Sequence, residues 1–197
     1  MRVIAGKARS LKLVTPPGMD TRPTTDRTKE TLFNILQPGI PGCRFLDLYS
    51  GSGAIGIEAL SRGAAFAVFV EKNRAAAECI RKNLEFTRLK DSGQILCRDV
   101  LAALTQLEGS PAFDYIFMDP PYGRQMEKKV LEYLAASSLL KSGGTVIVEA
   151  SLETSFAYVQ ALGLKVQRKK KYKTNMHVWI TKESGECDVD SSVSGKL

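Results

Sequence analysis

Three glycines spaced Gly51-x-Gly53-x-x-Gly56 constrain this chain more than any other feature. They stand between a short apolar run, RFLDL, and a stretch of helix formers beginning near Ala54, and Glu71 follows twenty residues after Gly51 at the end of a second apolar run, AFAVFVE. A strand, a tight glycine turn, a helix and a second strand ending in an acid make up a nucleotide-binding βαβ unit. The glycines let a ligand approach the backbone, and the acid can accept both hydroxyls of a ribose. The unit commits the chain to an α/β fold with a parallel sheet.

The rest of the sequence continues that alternation. Residues 2–14 predict two short strands around a turn at Gly6, closed by Pro16-Pro17-Gly18. A helix follows, with Thr24, Thr25 or Asp26 as its cap and Leu32, Phe33, Ile35 and Leu36 as its apolar stripe; Gln37 to Gly42 breaks it. Residues 73–89 predict a helix, Gln94 to Cys97 a strand, Val100 to Leu107 a helix and 125–140 another. TVIVEA after Gly143-Gly144 predicts a strand, 152–162 a helix, and LKVQRKKKYK with TNMHVWI an antiparallel pair. The expected fold is a doubly wound, mostly parallel seven-stranded sheet, Rossmann-like, with an N-terminal β-hairpin extension. Residues 1–183 are expected to form one domain, with 1–22 as the basic hairpin extension, and the acidic, Ser-rich 184–197 a disordered tail.

A glycine turn of this kind serves NAD, FAD or S-adenosylmethionine (SAM). Asp47 discriminates among them, because it lies inside the first strand, four residues before Gly51, where dinucleotide enzymes usually carry an aliphatic residue. SAM has a sulfonium and an ammonium and no pyrophosphate, so an acid beside the turn suits it better. Asp47, Gly51, Gly53 and Glu71 are therefore the expected cofactor residues. Asp99, after the third strand, could accept from an adenine amine or cap the helix that follows.

The second chemical signal is DYIFMDPPYG, Asp114 to Gly123. Neither proline can donate to a sheet ladder and each holds its predecessor extended, so the strand stops at Asp119. A carboxylate, a stiff carbonyl and a ring then stand at a strand's C-terminal end, where open α/β sheets bind ligands. Asp119 and the Pro120 carbonyl could accept the two hydrogens of a planar NH2 group while Tyr122 stacks on the ring that carries it. The same four residues also suit a strand end closed by a Pro-Pro turn. Asp119, Pro120, Pro121 and Tyr122 resemble the motif of amino-methyltransferases, which methylate exocyclic nitrogens of adenine, guanine or cytosine. The motif alone does not choose the base.

The 197 residues carry a formal charge of +7, which favours an anionic partner. Residues 1–29 hold seven Lys or Arg against two Asp, and Lys165 to Lys173 hold six basic residues and no acid. Each run suits either a phosphate backbone or a solvated face. The four cysteines form no C-x-x-C pair and His177 is the lone histidine, so neither a disulfide framework nor a metal site is expected. No signal-peptide or bilayer-spanning run is visible, which leads to the expectation of a cytoplasmic protein, without a membrane partner and monomeric.

Beyond these motifs, RVIAGKARSLKL, TRPTTDRTKETLFNIL, FLDLYSGSGAIGIEALSRGA, VEKN and MDPPY together resemble the RsmD family of bacterial 16S rRNA guanine-N2 methyltransferases, class I enzymes that use SAM. The resemblance covers roughly residues 1–181. It implies a guanine amine in small-subunit rRNA as substrate, within a partly assembled subunit, with Asp47, Gly51, Gly53, Glu71 and Asp99 at the cofactor and Asp119, Pro120, Pro121 and Tyr122 at the base. One departure is Tyr172-Lys173-Thr174, where the family tends to have Tyr-Gly. Other readings of the residues are an adenine-N6 methyltransferase, an RNA-binding module with a vestigial cofactor site, and an NAD-dependent oxidoreductase. The last lacks an evident hydride-transfer partner.

Overall fold

The computed structural model describes residues 1–16 and 26–182. The expected caps Thr24 and Thr25 and the acidic tail lie outside them. Five parallel strands and an antiparallel pair form one sheet. The elements run α1 (Asp26–Leu36), β1 (Arg44–Leu48), α2 (Ala54–Ser61), β2 (Phe66–Val70), α3 (Arg74–Phe86), β3 (Gly93–Leu96) and α4 (Val100–Leu107), then β4 (Phe113–Met118), α5 (Met126–Ala136), β5 (Leu140–Ser151), β6 (Leu164–Lys171) and β7 (Asn175–Lys182). The strand order is β3-β2-β1-β4-β5-β7-β6, with β7 antiparallel to both neighbours. The chain leaves β1 toward β2 and returns to β4 on β1's other side, so the sheet has its switch point between β1 and β4.

The central strands are apolar on both faces because helices cover both. Leu46, Val68, Ile116 and Val146 pack with Leu104 of α4 and Leu131 of α5. The alternate residues Phe45, Phe69, Phe117 and Ile147 pack with Leu32 of α1, Ile57 of α2 and Ile80 of α3. Of the predicted α1 stripe, Leu32, Phe33 and Leu36 are buried and Ile35 is only partly so.

The N-terminal segment departs from the expected two strands. Its arms share a single antiparallel bridge, Arg2 to Lys12, flanked by Val3 N–H donating to Leu11 O at 3.0 Å and Leu13 N–H to Met1 O at 3.0 Å. Ser10 N–H returns to Val3 O at 2.9 Å and Val14 N–H goes to Asn83 Oδ1 of α3 at 2.8 Å, but the donors around Gly6 turn to α2 instead of a ladder. Glu58 accepts from Ile4 N–H at 2.8 Å and Ala5 N–H at 3.0 Å, and Ser61 Oγ accepts from Ala8 N–H at 2.9 Å. Gly6 is required here, since its φ is +81° and an added Cβ would fall 1.8 Å from Ser61 O. Glu58 also pairs with Lys29 at 3.3 Å and Arg62 at 2.8 Å, and the Lys29 ammonium donates to Arg2 O. Burial holds the Lys29 pKa below its ordinary value despite Glu58. Val3, Ala8 and Leu13 are buried, so this segment is part of the core as well as a carrier of exposed Arg2, Lys7, Arg9 and Lys12.

The expected helix over 152–162 is replaced by a 3₁₀ helix at Ala157–Leu162. Side-chain oxygens compete for the backbone before it: Ser151 Oγ and Thr154 Oγ1 are 3.0 Å apart, Thr154 N–H donates to Ser151 O at 3.1 Å and Ala157 N–H donates to Ser155 Oγ at 3.4 Å. Of this segment only Phe156 and Val159 are fully buried, with Tyr158 and Leu162 packed partly buried against the core.

Candidate active site

The glycine turn is built between β1 and α2. Tyr49, Gly51 and Gly53 all have positive φ, with values of 59°, 54° and 76°, so the chain reverses sharply before α2 begins at Ala54. Gly53 N–H donates to Ser50 O at 2.7 Å. Gly56 serves a different end: a Cβ there would meet the Phe69 ring at 2.3 Å, so its absence lets α2 lie close on β2.

Two acids hold this turn. Asp47, 1% exposed, accepts the Gly56 N–H on Oδ2 at 2.9 Å. Burial and the nearby Glu71 raise its carboxyl to about 7, although the Gly56 bond opposes them. Glu71, 7% exposed, accepts Gly51 N–H on Oε2 at 2.9 Å and Asn73 N–H on Oε1 at 2.8 Å. Asp99 is exposed at the start of α4, where Oδ1 accepts Leu101 N–H at 3.0 Å, so the capping role is present. The structure thus places Asp47 beneath the turn, Glu71 at its edge and Asp99 on the next strand's end. An added Cβ at Gly51 would meet nothing within 4 Å, so the turn opens onto free space beside Glu71. That opening, with acids below and beside it and no lysine from the turn, fits a cationic nucleoside better than a pyrophosphate.

Asp119 lies across the switch point from this turn. Register aligns Leu48, Met118 and Val148 on β1, β4 and β5, which puts Tyr49, Asp119 and Glu149 in a row one residue beyond. Pro120 is buried, Pro121 exposed, and Tyr122 is 50% exposed. Burial, then the charges of Glu149 and Asp47, push the Asp119 carboxyl up to about 8.

Glu149 and His177 form the part of the site that motif reading missed. Glu149 is 5% exposed and His177 fully buried, paired across β5 and β7. Glu149 Oε2 lies 3.1 Å from His177 Nε2, its Oε1 accepts from Asn175 Nδ2, and the Tyr172 hydroxyl lies 3.3 Å from His177 Nδ1. Rings of Phe117, Tyr172 and Trp179 surround the imidazole edge-to-face. An acid in TVIVEA and a histidine in NMHVWI, each alone in an apolar strand, were the available signal.

The family model described as Conserved hypothetical protein 95 matches residues 1–181. The chain belongs to this family, the RsmD family. Ribosomal RNA small subunit methyltransferase D of Escherichia coli strain K12 is 34% identical over 190 residues, covering 96% of this chain and 94% of the relative. YlbH of Bacillus subtilis is 40% identical over 156 residues, covering 78% of this chain and 84% of the relative. The solved structure of yhhF from Escherichia coli superposes with a TM-score of 0.81 at 31% identity, over 93% of this chain and 98% of the other. The RsmD-family fold expected from the sequence is therefore present, a mixed seven-stranded sheet of the class I methyltransferase kind. Among the described residues no cluster of three or more His, Cys, Asp or Glu is arranged to hold a metal ion, and no helix is long and apolar enough to cross a membrane.

Proposed function

We propose that this RsmD-family protein methylates the exocyclic N2 amine of one guanine in small-subunit ribosomal RNA, with SAM as donor, in the cytoplasm and on a partly assembled subunit. The observation that carries this reading is Asp119 with Pro120 and Tyr122 at the switch point, across from a turn held by Asp47 and Glu71. The small-subunit rRNA methyltransferase named among the relatives supports the substrate class.

Asp47, Gly51, Gly53, Glu71 and Asp99 are the residues that would hold SAM, which supplies a methyl activated on a sulfonium when bound. Asp119 and the Pro120 carbonyl accept the two amine hydrogens and orient the nitrogen lone pair. An aryl amine is a poor nucleophile because its lone pair is delocalised, so holding it in line contributes most of what the protein supplies. Acceptors on the amine also favour a more tetrahedral nitrogen as positive charge develops. Tyr122 replaces the stacking that a paired guanine loses when it leaves its helix, a cost of a few kcal/mol. The exposed basic face of β6, Lys165 and Arg168 to Lys171, and the N-terminal Arg2, Lys7, Arg9 and Lys12 bear on phosphates.

The test is to incubate the protein and methyl-tritiated SAM with total RNA and with small subunits from a strain lacking the enzyme, then identify the labelled nucleoside. N2-methylguanosine from small-subunit RNA is expected. N6-methyladenosine would move the reading to an adenine enzyme, and no RNA label would remove it.

A further inference from the structure

Asp119 is the acid that must face the reacting amine, and the charged groups that act on it are themselves acidic: Glu149 from β5 and Asp47 from β1. The two differ in how they are held. Asp47 is spent on the Gly56 N–H and the glycine turn. Glu149 stands next to Asp119 in the sheet register and, among the described residues, makes no hydrogen bond to the turn. Its bonds go outward to β7, Oε2 to His177 and Oε1 to Asn175, with Tyr172 from the β6 end closing on the far imidazole nitrogen. A carboxylate with both oxygens occupied at 5% exposure cannot swing to solvent, and its charge stays where the register puts it. A chain that needed only to fill this space would do so more cheaply with an apolar residue, since a buried acid without a role in the reaction carries a desolvation cost.

We propose that Glu149, clamped by His177 and Asn175, is a positioning residue for methyl transfer that keeps Asp119 basic enough to take the amine proton as the nitrogen–carbon bond forms. This rests on the reading of the site as an amine methyltransferase. The amine lone pair forms the bond to the methyl carbon, the carbon–sulfur pair returns to sulfur as a neutral thioether, and one N–H proton passes to the Asp119 carboxylate and then to solvent. A base works best when its pKa lies near the working pH. Burial contributes most to the rise of Asp119 to about 8, and the Glu149 charge adds to it.

The experiment is the pH profile of single-turnover methylation for the wild type and Glu149→Gln, with S-adenosylhomocysteine affinity measured on both. Loss of the charge should move the acidic limb to lower pH and lower the plateau rate, while cofactor affinity stays within about twofold. The same substitution made on Asp119→Asn should leave any residual profile unmoved. A Glu149→Gln profile reduced evenly at every pH, its limb unshifted, overturns the proposal and leaves Glu149 a structural acid. Should the variant fail to fold, the carbon-13 carboxyl titration of Asp119 in the wild-type protein and in Asn175→Ala, which loosens the hold on Glu149, decides: a wild-type midpoint near neutral or above that falls in the variant supports the proposal, and a midpoint in the ordinary carboxylate range, or one that the variant leaves unmoved, contradicts it. That titration needs no RNA, so a protein that labels no RNA would sink the proposed function without touching this result.

Discussion

Glu71 holds Gly51 by accepting its N–H on Oε2 at 2.9 Å, and this bond, with that of Ser50 N–H to Val70 O at 3.1 Å, joins the end of β2 to the turn after β1. Its other oxygen takes Asn73 N–H at 2.8 Å at the start of α3, so a single carboxylate ties the glycine turn to the first turn of α3. Glu71→Ala should leave two backbone donors without their acceptor and weaken S-adenosylhomocysteine binding by about 1–3 kcal/mol. Calorimetry checks this. NADH binding more tightly than S-adenosylhomocysteine to the wild type would contradict the cofactor reading.

The raised carboxyls of buried Asp47 and partly buried Asp119 make stability depend on pH in an unusual direction. Asp47 is raised to about 7 and Asp119 to about 8 from an ordinary 3.8, so the folded state holds protons that the unfolded chain has already released. Where the folded state binds more protons, unfolding free energy falls as pH rises. The ligand-free protein should therefore lose melting temperature between pH 5 and pH 8.5, and cofactor binding should release protons as the sulfonium stabilises the ionised acids. Melting curves across that range, and calorimetry in buffers of different ionisation enthalpy, read both effects. A melting temperature that climbs steadily over the same interval would show that these acids are ionised throughout.

Glu58 ties the N-terminal segment to α2 through Ile4, Ala5, Lys29 and Arg62. Glu58→Ala would leave the Lys29 ammonium buried without its counter-ion, at a cost of about 3–5 kcal/mol. Urea unfolding should show that loss, and a change under 1 kcal/mol would mean that the segment docks by its apolar residues alone.

RNA binding should weaken steeply with salt. If about five phosphates meet the β6 edge and the N-terminal segment, log K against log salt should slope near −3.5 to −4.5. Reversing Lys169 and Lys171 to Glu should flatten that slope, and an unchanged slope would place the phosphate contacts elsewhere.

Much of this architecture was legible because local rules and the global fold agree. The glycine turn, the strand–helix alternation and the acid after β2 each rest on short-range chemistry, and all three are where the sequence puts them. The segment over 152–162 was misread because Ser and Thr hydroxyls took backbone donors that a helix needs. Glu149 and His177 escaped notice for a different reason: they are 28 residues apart and meet only through the antiparallel register of β5 and β7. Asp47 illustrates a third limit, since its position marked it as a site acid but its 1% exposure and bond to Gly56 emerge only in the packed turn.

Tyr122, half exposed three residues after Asp119, should show a ring effect and not a hydroxyl effect. Tyr122→Ala should slow methyl transfer by removing about 1–3 kcal/mol of stacking, while Tyr122→Phe should be mild. A large defect in the Phe variant would assign the hydroxyl a role of its own.

Asp119 carries the central claim, because it directly follows β4 across the switch point from the turn and shares no hydrogen bond with Asp47, Glu71 or Asp99 among those described. Single-turnover methylation and S-adenosylhomocysteine affinity should be measured side by side for Asp119→Ala. The account predicts a rate lower by roughly 10²- to 10³-fold with cofactor affinity nearly intact, as expected for an acceptor that acts mainly in the transition state. Near-full turnover, or a loss of activity that follows a loss of cofactor, would contradict it.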